Sequence, residues 1–317
     1  MAGKTVGFVG LGAMGLPMAI NLIKGGFAVT GFDLDAQARH ALVQAGGREA
    51  DHAAQAAQGA DLVITMLPNA SHVKAALSGP EGILATLAEQ AVFINMSTIL
   101  PQETDAIGAM LAEQGRRMLD APVGRSAMEA QRGTLLILAS GPAEDKAAAR
   151  EALLCMGNQI IDCGELGAGS RVKIVNNFMG ISLNALTAEA LTLAEASGLS
   201  VELALEVMRG TIAGLGHMNI TYPNKVLRGD LSAGFQVDLA HKDLGLALEM
   251  AARANAAVPM GAAAFQSYTA ARAMGRGAQD YSAIYPHLRA LSGLPQALPY
   301  TVSTPLNADP FGSAGTR

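Results

Sequence analysis

Three polar side chains of one predicted helix have the types and the spacing for proton transfer. Lys173, Asn176 and Asn177 stand at positions i, i+3 and i+4, so helical geometry brings them to one surface. When a hydride adds to a carbonyl, negative charge develops on the oxygen, and a nearby ammonium can donate the proton that neutralises it. The spacing alone fits equally well a surface lysine beside two solvated asparagines.

The same helix face carries candidates for substrate contact. The side-chain amides of Asn176 and Asn177 would orient the oxygens of a substrate. Gly180 lies one turn beyond Asn176 and removes side-chain bulk from that face. We therefore expect these three residues to bind substrate next to Lys173.

A second pattern, GLGAMG at residues 10–15, has the glycine spacing of a dinucleotide-binding turn. It follows an apolar strand-like run and opens a helical one, which is the context that makes this pattern informative. Gly10 permits the tight turn, Gly12 lets the backbone approach a pyrophosphate, and Gly15 lets helix and strand pack closely. A purely structural strand–turn–helix and a flavin site are the alternatives.

The residues around this turn specify the dinucleotide further. The amides of Ala13 and Met14 would face the phosphates at the helix N-terminus. Asp33 ends the second predicted strand, where its carboxylate can accept hydrogen bonds from the adenine ribose hydroxyls. That carboxylate would repel a 2′-phosphate, and no arginine follows it at once. The sequence therefore predicts NAD, with NADH preferred over NADPH.

Two further strand ends carry candidate cofactor contacts, because ligands of such folds lie beyond the carboxyl ends of the strands. Leu67 follows the third predicted strand, and its loop could lie against the adenosine. Thr98 follows the fourth, and its hydroxyl could bond the ribose or carboxamide near the nicotinamide. Each segment could also be an ordinary turn.

Short apolar runs alternate with amphipathic segments over the first half of the chain. This alternation predicts an α/β fold, an N-terminal Rossmann-type, doubly wound, mainly parallel sheet with both faces buried. The predicted strands are 5–9, 28–32, 62–66, 92–95, 117–120, 134–138 and 159–162. The predicted helices include 14–24, 36–44, 101–114 and 143–156.

Only helical patterns follow Gly169, which predicts a C-terminal all-α domain joined to the sheet by a long interdomain helix. The predicted helices are 172–197, 201–209, 238–254, 260–274 and 281–291. We expect an NAD-binding domain at 1–165, a helical substrate and oligomerisation domain at 166–295, and a loosely ordered tail at 296–317.

The composition limits the class of protein. Half of the residues are hydrophobic, 15% are charged and the net charge is −5, which argues against a nucleic-acid partner. No signal-like segment opens the chain, and the apolar stretch 174–196 carries polar residues that do not suit a bilayer, so we expect a cytoplasmic protein. Cys155 and Cys163 are expected to be thiols, although their spacing also permits a disulfide. No metal is expected, because no cluster has metal-ligand spacing.

Five segments carry a family resemblance. They are residues 6–26 (VGFVGLGAMGLPMAINLIKGG), 120–123 (DAPV), 133–135 (GTL), 173–177 (KIVNN) and 241–244 (HKDL). Together, in this order, they resemble the β-hydroxyacid dehydrogenases, the family that contains 3-hydroxyisobutyrate dehydrogenase. The resemblance implies that Lys173 is the catalytic acid/base, that Lys242 contacts the cofactor near the nicotinamide, and that Thr98 also serves the cofactor. It further implies a homo-oligomer, either a dimer or a tetramer.

One departure from the family pattern concerns the substrate. Most members follow DAPV with Ser-Gly-Gly, whereas this chain has Gly124, Arg125 and Ser126. A guanidinium offers a rigid fork of donors to an anion with several oxygens, and a sulfonate stays ionised at every relevant pH. The variant resembles the subgroup that reduces 3-sulfolactaldehyde to 2,3-dihydroxypropane-1-sulfonate with NADH in sulfoquinovose breakdown. That resemblance implies substrate contacts for Arg125 and Ser126.

Other interpretations of the same residues stay open. Arg125 could pair a carboxylate in a 4-hydroxybutyrate, 3-hydroxyisobutyrate or tartronate-semialdehyde dehydrogenase, or it could form a surface salt bridge. A dinucleotide-binding sensor without turnover is the alternative of a different class. His241 is expected to pack or to make an indirect hydrogen bond rather than to act as an acid or base.

Overall fold

The computed structural model describes residues 4–196, 199–210, 217, 221–253 and 259–295. Packing divides the chain into two compact units, Met1–Phe178 with Glu249–Ala256, and Met179–Leu248 with Ala257–Arg317. The division therefore falls within two helices, after Phe178 in one and before Glu249 in the other. The tail expected at 296–317 lies outside the described residues.

The first unit is built on a sheet with nine strands among the described residues. They are β1 (Thr5–Val9), β2 (Ala28–Phe32), β3 (Arg48–Glu49), β4 (Leu62–Thr65), β5 (Val92–Asn95), β6 (Arg117–Asp120), β7 (Val123–Gly124), β8 (Leu135–Ser140) and β9 (Gly157–Gly164). The order β3-β2-β1-β4-β5-β6 is parallel throughout, β8 runs antiparallel to β6 and β7, and β9 is parallel to β8. The prediction of a mainly parallel Rossmann-type sheet is confirmed.

Helices cover both faces of this sheet. They are α1 (Gly15–Lys24), α2 (Ala36–Gln44), α3 (Ala53–Ala57), α4 (Ala70–Leu77), α5 (Pro101–Glu113), α6 (Ala127–Arg132) and α7 (Ala143–Met156), with the start of α8 (Ala168–Ala196). Successive strand residues point to opposite faces. Ile64 and Ile94 pack in the core that contains α1 and α7, whereas Val63 and Phe93 pack in the core that contains α3, α4 and α5. The apolar runs of these central strands are thus buried on both sides.

Several short elements are not predicted by the sequence, and the predicted burial of one strand is wrong. β3 and β7 have two residues each, and α3 and α6 have five and six, which is too short for a hydrophobic period to show. The helix α4 was also missed. The expectation that the strand at 159–162 is buried on both faces is wrong, because β9 is largely exposed and pairs, among the described residues, with β8 alone.

The second unit is helical over its described residues. It contains the later part of α8, then α9 (Val201–Arg209), α10 (Thr221–Asn224), α11 (Val237–Arg253), α12 (Pro259–Ala273) and α13 (Ile284–Leu291). The helix predicted at 281–291 opens with a 3₁₀ turn, Tyr281–Ala283, because the Asp280 side chain accepts a hydrogen bond from the Ser282 amide. Residues 197 and 254, the last of two predicted helices, lie outside the described residues.

A buried asparagine anchors α8 in the second unit. The Nδ2 of Asn184 donates to Tyr268 Oη at 2.7 Å and to the Tyr281 carbonyl at 3.1 Å. The hydroxyl of Tyr222 donates to the Asn184 carbonyl at 2.9 Å. These bonds fix α8 against α10 and α12 by specific polar contacts within an apolar interior. In the part of the chain described, no helix combines the length and the apolarity that a membrane span needs.

Candidate active site

The carboxyl ends of β2, β1, β4 and β5 form one edge of the sheet, and the loops that follow these strands meet there. Backbone hydrogen bonds join successive loops, from Gly10 N to the Phe32 carbonyl and from Met66 N to the Val9 carbonyl, each at 2.9 Å. The structure therefore brings most predicted cofactor residues to one edge. They are Gly10, Gly12, Ala13, Met14, Gly15, Asp33, Leu67 and Thr98.

The glycines of the first loop are required by its geometry. Gly10 has a φ of +98°, and a Cβ there would lie 2.3 Å from the Met66 carbonyl oxygen. A Cβ on Gly15 would lie 1.9 Å from the Gly10 carbonyl oxygen. At Gly12, by contrast, an added Cβ would meet no described atom within 4 Å, so this glycine borders open space. Two glycines thus shape the turn, and the third leaves room for a ligand.

The start of α1 fits the diphosphate of a dinucleotide. No described side chain caps this helix at Met14, and Gly12 and Ala13 are exposed. The first amides of a helix have no intrahelical partner and carry partial positive charge, so they bind phosphate oxygens readily. The glycine turn and this helix start therefore suit the diphosphate of a bound dinucleotide.

The Asp33 carboxylate lies at the rim of the glycine turn. Its Oδ2 accepts a hydrogen bond from Leu11 N at 2.6 Å, and its Oδ1 accepts one from Asp35 N at 2.9 Å. The Nη1 of Arg39 donates to the Asp33 carbonyl at 2.6 Å. Each carboxylate oxygen keeps a lone pair for a ribose hydroxyl. Arg39 was missed because it follows Asp33 only after a helix has begun.

A buried serine ties the next two loops together. Ser97 is fully buried, and its Oγ accepts a hydrogen bond from Leu67 N at 2.9 Å. Its amide donates to Asn95 Oδ1 at 3.2 Å, and Thr65 Oγ1 donates to the same oxygen at 3.1 Å. Ser97 therefore positions the loop of Leu67, and half-buried Thr98 is the hydroxyl of this pair that is suited to a cofactor.

Lys173 lies one turn inside α8, whose start is fastened to the same edge of the sheet. Asp120 ends β6, and its Oδ2 accepts a hydrogen bond from Ser170 N at 2.8 Å. Lys173 is buried with 9% exposure, Asn177 is half-buried and Asn176 is exposed. The two asparagines approach each other, with Asn176 Nδ2 3.5 Å from Asn177 Oδ1. The three side chains thus differ in exposure to solvent, with Lys173 the most buried and Asn176 the most exposed.

Arg125 follows β7, beyond the carboxyl end of β6. Its φ is +77°, and among the described residues it is the non-glycine residue with a left-handed backbone. Its Nη1 donates to the Thr134 carbonyl and, at 2.7 Å, to Asn158 Oδ1. Its Nη2 lies 3.5 Å from Gln159 Oε1. The two acceptors on β9 carried no signal in the sequence, because they are exposed polar residues far along the chain.

Ser126 serves as the N-cap of α6. Its hydroxyl donates to Glu129 Oε2 at 2.6 Å, and its amide donates to the same oxygen at 3.0 Å. Burial alone would raise the pKa of Glu129, but these hydrogen bonds hold that pKa below its usual value. The structure thus gives Ser126 a local role in ordering the loop of Arg125, and a contact with substrate stays a prediction.

The remaining predicted residues belong to the second unit. The Gly180 carbonyl is hydrogen-bonded to His217 Nε2 at 2.5 Å, and a Cβ on Gly180 would meet none of the described atoms within 4 Å. Lys242 pairs with the buried carboxylate of Asp243 at 2.9 Å. His241 stacks on Phe265 with ring centroids 4.1 Å apart, which matches the packing role expected for it.

Metal and disulfide chemistry find no support in the described ranges. Cys155 and Cys163 are both free thiols and half-buried. Burial raises the pKa of each thiol, which disfavours the reactive thiolate form. Over the described ranges, His, Cys, Asp and Glu side chains do not gather into a group of three that could hold a metal ion.

Family models match nearly the whole chain. Residues 5–164 match the NAD-binding domain of 6-phosphogluconate dehydrogenase. Residues 167–288 match the model described as the NAD-binding region of NADP-dependent 3-hydroxyisobutyrate dehydrogenase. The first match covers the described strands and the helices α1 to α7, and the second covers the helical part that follows.

Curated relatives and solved structures agree with these models. The 3-sulfolactaldehyde reductase of Escherichia coli K12 is 47% identical over 289 residues, 91% of this chain and 97% of that protein. The 3-hydroxyisobutyrate dehydrogenase of Pseudomonas aeruginosa is 41% identical over 82% of this chain and 89% of that protein. The structure of Mycobacterium tuberculosis 3-hydroxyisobutyrate dehydrogenase with L-serine matches with a TM-score of 0.83 and 33% identity, over 90% of this chain and 99% of that one. The chain therefore belongs to the 3-hydroxyisobutyrate dehydrogenase family of nicotinamide-dependent enzymes that act on hydroxyl groups.

Proposed function

We propose that this enzyme reduces 3-sulfolactaldehyde to 2,3-dihydroxypropane-1-sulfonate with NADH. The observation that carries the proposal is Arg125 in a left-handed backbone conformation, where the family pattern has glycine. A non-glycine residue in that conformation costs about 1–2 kcal/mol, so a selected function for the side chain is the economical explanation. The 47% identity to the E. coli 3-sulfolactaldehyde reductase supports the same substrate.

Arg125 recognises the sulfonate in this proposal. Three sulfonate oxygens share a permanent negative charge, and the planar guanidinium can donate to two of them at once. Bonds to Thr134 and Asn158 hold the guanidinium near the start of β8 in a defined orientation. An anchored cation gives a substrate more affinity than a mobile one, because less entropy is lost on binding.

Lys173 is the proton donor. When bound, the nicotinamide would supply a hydride to the aldehyde carbon, and the ammonium of Lys173 would give its proton to the aldehyde oxygen as charge develops there. In the reverse direction the neutral amine accepts the proton from the hydroxyl. Burial to 9% exposure keeps competing water away from that exchange.

The neighbouring residues orient the substrate and the cofactor. Asn176 and Asn177 direct their amides to the hydroxyl and aldehyde oxygens, and Gly180 leaves space on the same helix. Lys242, together with Thr98, contacts the cofactor near the nicotinamide, as the family resemblance implies. These roles are proposals that follow from the helix spacing and from the family.

NADH is the proposed reductant. The Asp33 carboxylate, held by Leu11 N and Asp35 N, would lie close to a 2′-phosphate and repel it. The nearby Arg39 is engaged with the Asp33 carbonyl and offsets this repulsion only in part. We therefore expect a higher kcat/KM for NADH than for NADPH.

Self-association is part of the proposal. Hydrophobic side chains of α8 are exposed in the single chain, with Val175 at 54% and Met179 at 60%. Their i, i+4 spacing places them on one face of the helix. Covering such a face removes apolar area from water, so we propose a homo-oligomer, either a dimer or a tetramer.

A substrate panel tests the proposal directly. The purified enzyme is assayed with NADH and NADPH against 3-sulfolactaldehyde, succinic semialdehyde, methylmalonate semialdehyde and tartronate semialdehyde. We expect the highest kcat/KM for 3-sulfolactaldehyde with NADH. A carboxylate aldehyde with the highest value would instead assign Arg125 to a carboxylate, the choice that the P. aeruginosa relative favours.

A further inference from the structure

We infer that Asp120 is a positioning residue, which holds the start of α8 so that Lys173 stays in place at the carboxyl edge of the sheet. The inference rests on the proposed role of Lys173 as proton donor. Asp120 is the first residue of the DAPV segment, and its contacts join this segment to the start of α8.

Asp120 caps a helix that begins far away in sequence. Its Oδ2 accepts a hydrogen bond from Ser170 N at 2.8 Å, and its Oδ1 accepts one from Ser170 Oγ at 2.8 Å. Ser140 adds to this group, because its Oγ donates to Asp120 Oδ2 at 3.1 Å and accepts from Gly169 N at 2.9 Å. Two amides of the first turn of α8 thus find acceptors on β6 and β8, in place of a cap from their own chain segment.

The helix start has little freedom to shift. Asp120 and Ser140 are fully buried, and Ser170 has 1% exposure. A Cβ on Gly169 would lie 2.4 Å from the Leu138 carbonyl oxygen, so the helix backbone packs directly on β8. Loss of a buried charged acceptor leaves donors without partners in a dry interior, and the helix start would have to move to satisfy them.

Such a movement would reach Lys173. The lysine is three residues beyond Ser170, which is about 4.5 Å along the helix axis. A pivot at Ser170 therefore shifts and tilts the ammonium relative to the edge of the sheet. Misplacement of a catalytic group by about 1 Å can lower a rate about 100-fold.

The same row of the sheet also holds the cofactor loops. Asn95 and Asp120 are register partners on β5 and β6, and Asn95 pairs in turn with Thr65 on β4. Asn95 orders the amide of Ser97, which bonds to the loop of Leu67. Asn95 thus positions the cofactor loops, whereas Asp120, its register partner on the next strand, bonds to the helix of Lys173.

The test compares Asp120→Asn with Asp145→Asn. Asp145 is a matched control because it is also a buried carboxylate, 2% exposed, and it bonds to Arg117 at the opposite end of β6. We expect Asp120→Asn to lower kcat by about 10- to 100-fold, with NADH affinity by fluorescence within about 2-fold of the wild type. We expect Asp145→Asn to keep kcat within about 2-fold of the wild type, because the Asp145 carboxylate accepts its hydrogen bond from Arg117, at the end of β6 opposite to Asp120. Equal kcat values for the two variants would overturn the inference.

A readout that is independent of turnover accompanies the kinetics. Hydrogen exchange of the peptide over residues 168–176 should accelerate in Asp120→Asn and stay unchanged in Asp145→Asn, whereas unchanged exchange in both would overturn the inference.

Should Asp120→Asn not fold, Ser170→Ala removes one of the two hydrogen bonds between Ser170 and Asp120 and should lower kcat by about 2- to 10-fold. If Lys173→Ala leaves kcat intact, the proposed proton donor is wrong, and the exchange result still decides whether Asp120 fixes the helix.

Discussion

At the scale of single residues, the substrate assignment depends on one side chain whose backbone is strained. Arg125 has a φ of +77°, and glycine would adopt that conformation without cost. The loop around it is kept in shape by Ser126, which caps α6. The cap and the contacts on β9 hold the guanidinium at a fixed place. Recognition of a small anion needs a cation that is positioned in this way.

Arg125→Gly separates recognition from folding. Relief of the left-handed strain, about 1 kcal/mol, should offset the loss of partly exposed hydrogen bonds, so the free energy of unfolding should stay within about 1 kcal/mol of the wild type. The KM for 3-sulfolactaldehyde should rise about 10-fold or more, because a charged partner is removed. Steady-state kinetics and urea unfolding measure both, with exposed Arg132→Ala as the control. An unchanged KM would mean that Arg125 only stabilises the fold where β8 and β9 begin and does not bind the substrate.

Lys173→Ala tests the proton donor. Turnover should fall by about 10²- to 10⁴-fold, the usual contribution of positioned acid–base catalysis, while NADH binding stays as in the wild type. Lys146→Ala is the control, because it also removes a lysine ammonium, one that pairs with the exposed carboxylate of Asp162. Turnover equal to that of the control would show that the amine of Lys173 does not take part.

Residues such as Gly10 could be predicted from the sequence, but Asp120 could not. The glycine turn is local, so its six residues and the strand-like and helical runs that flank them carry the signal. The bond from Ser170 to Asp120 joins residues 50 apart, and it exists only because β6 and α8 meet in the fold. The contacts of Arg125 with Asn158 and Gln159 depend in the same way on the pairing of β8 with β9.

At the scale of elements, the long periodic segments were predictable and the short ones were not. The helix α8 spans 29 residues, and its existence follows from a long, mostly apolar stretch that contains no proline. Its first residue does not, because the start is set by acceptors on β6 and β8. The two-residue strand β7 is formed by pairing with β8, and no local preference of Val123 or Gly124 encodes it.

The anchoring of α8 predicts a pH effect on stability. Burial raises the pKa of Asp120 from 3.8 to about 6, although its hydrogen bonds oppose the shift. A raised pKa in the folded state stabilises the fold at low pH and loses that contribution as pH rises through 6. The free energy of unfolding of the wild type, relative to Asp120→Asn, should therefore be about 1 kcal/mol larger at pH 5 than at pH 7. Urea unfolding at both pH values measures it, and a difference that does not change with pH would contradict the anchored, buried carboxyl.

At the scale of the whole molecule, the proposed homo-oligomer of this 3-hydroxyisobutyrate dehydrogenase family member has α8 in its interface. Met179→Glu places a charge on the exposed face of α8, where an oligomer would bury it, so sedimentation should show a lower association state than in the wild type. Met274→Glu is the control, because Met274 is 69% exposed and lies just beyond α12. An oligomer of unchanged size in Met179→Glu would place the interface elsewhere.

We propose that Gly124, Arg125 and Ser126 together select a sulfonate over a carboxylate. The most direct measurement is the ratio of kcat/KM for 3-sulfolactaldehyde to that for tartronate semialdehyde, in the wild type and in the variant Gly124→Ser/Arg125→Gly/Ser126→Gly. We predict a ratio well above one in the wild type and a fall of about 100-fold or more in the variant, which carries the family pattern. A ratio that is the same in both proteins would show that these three residues do not select the sulfonate.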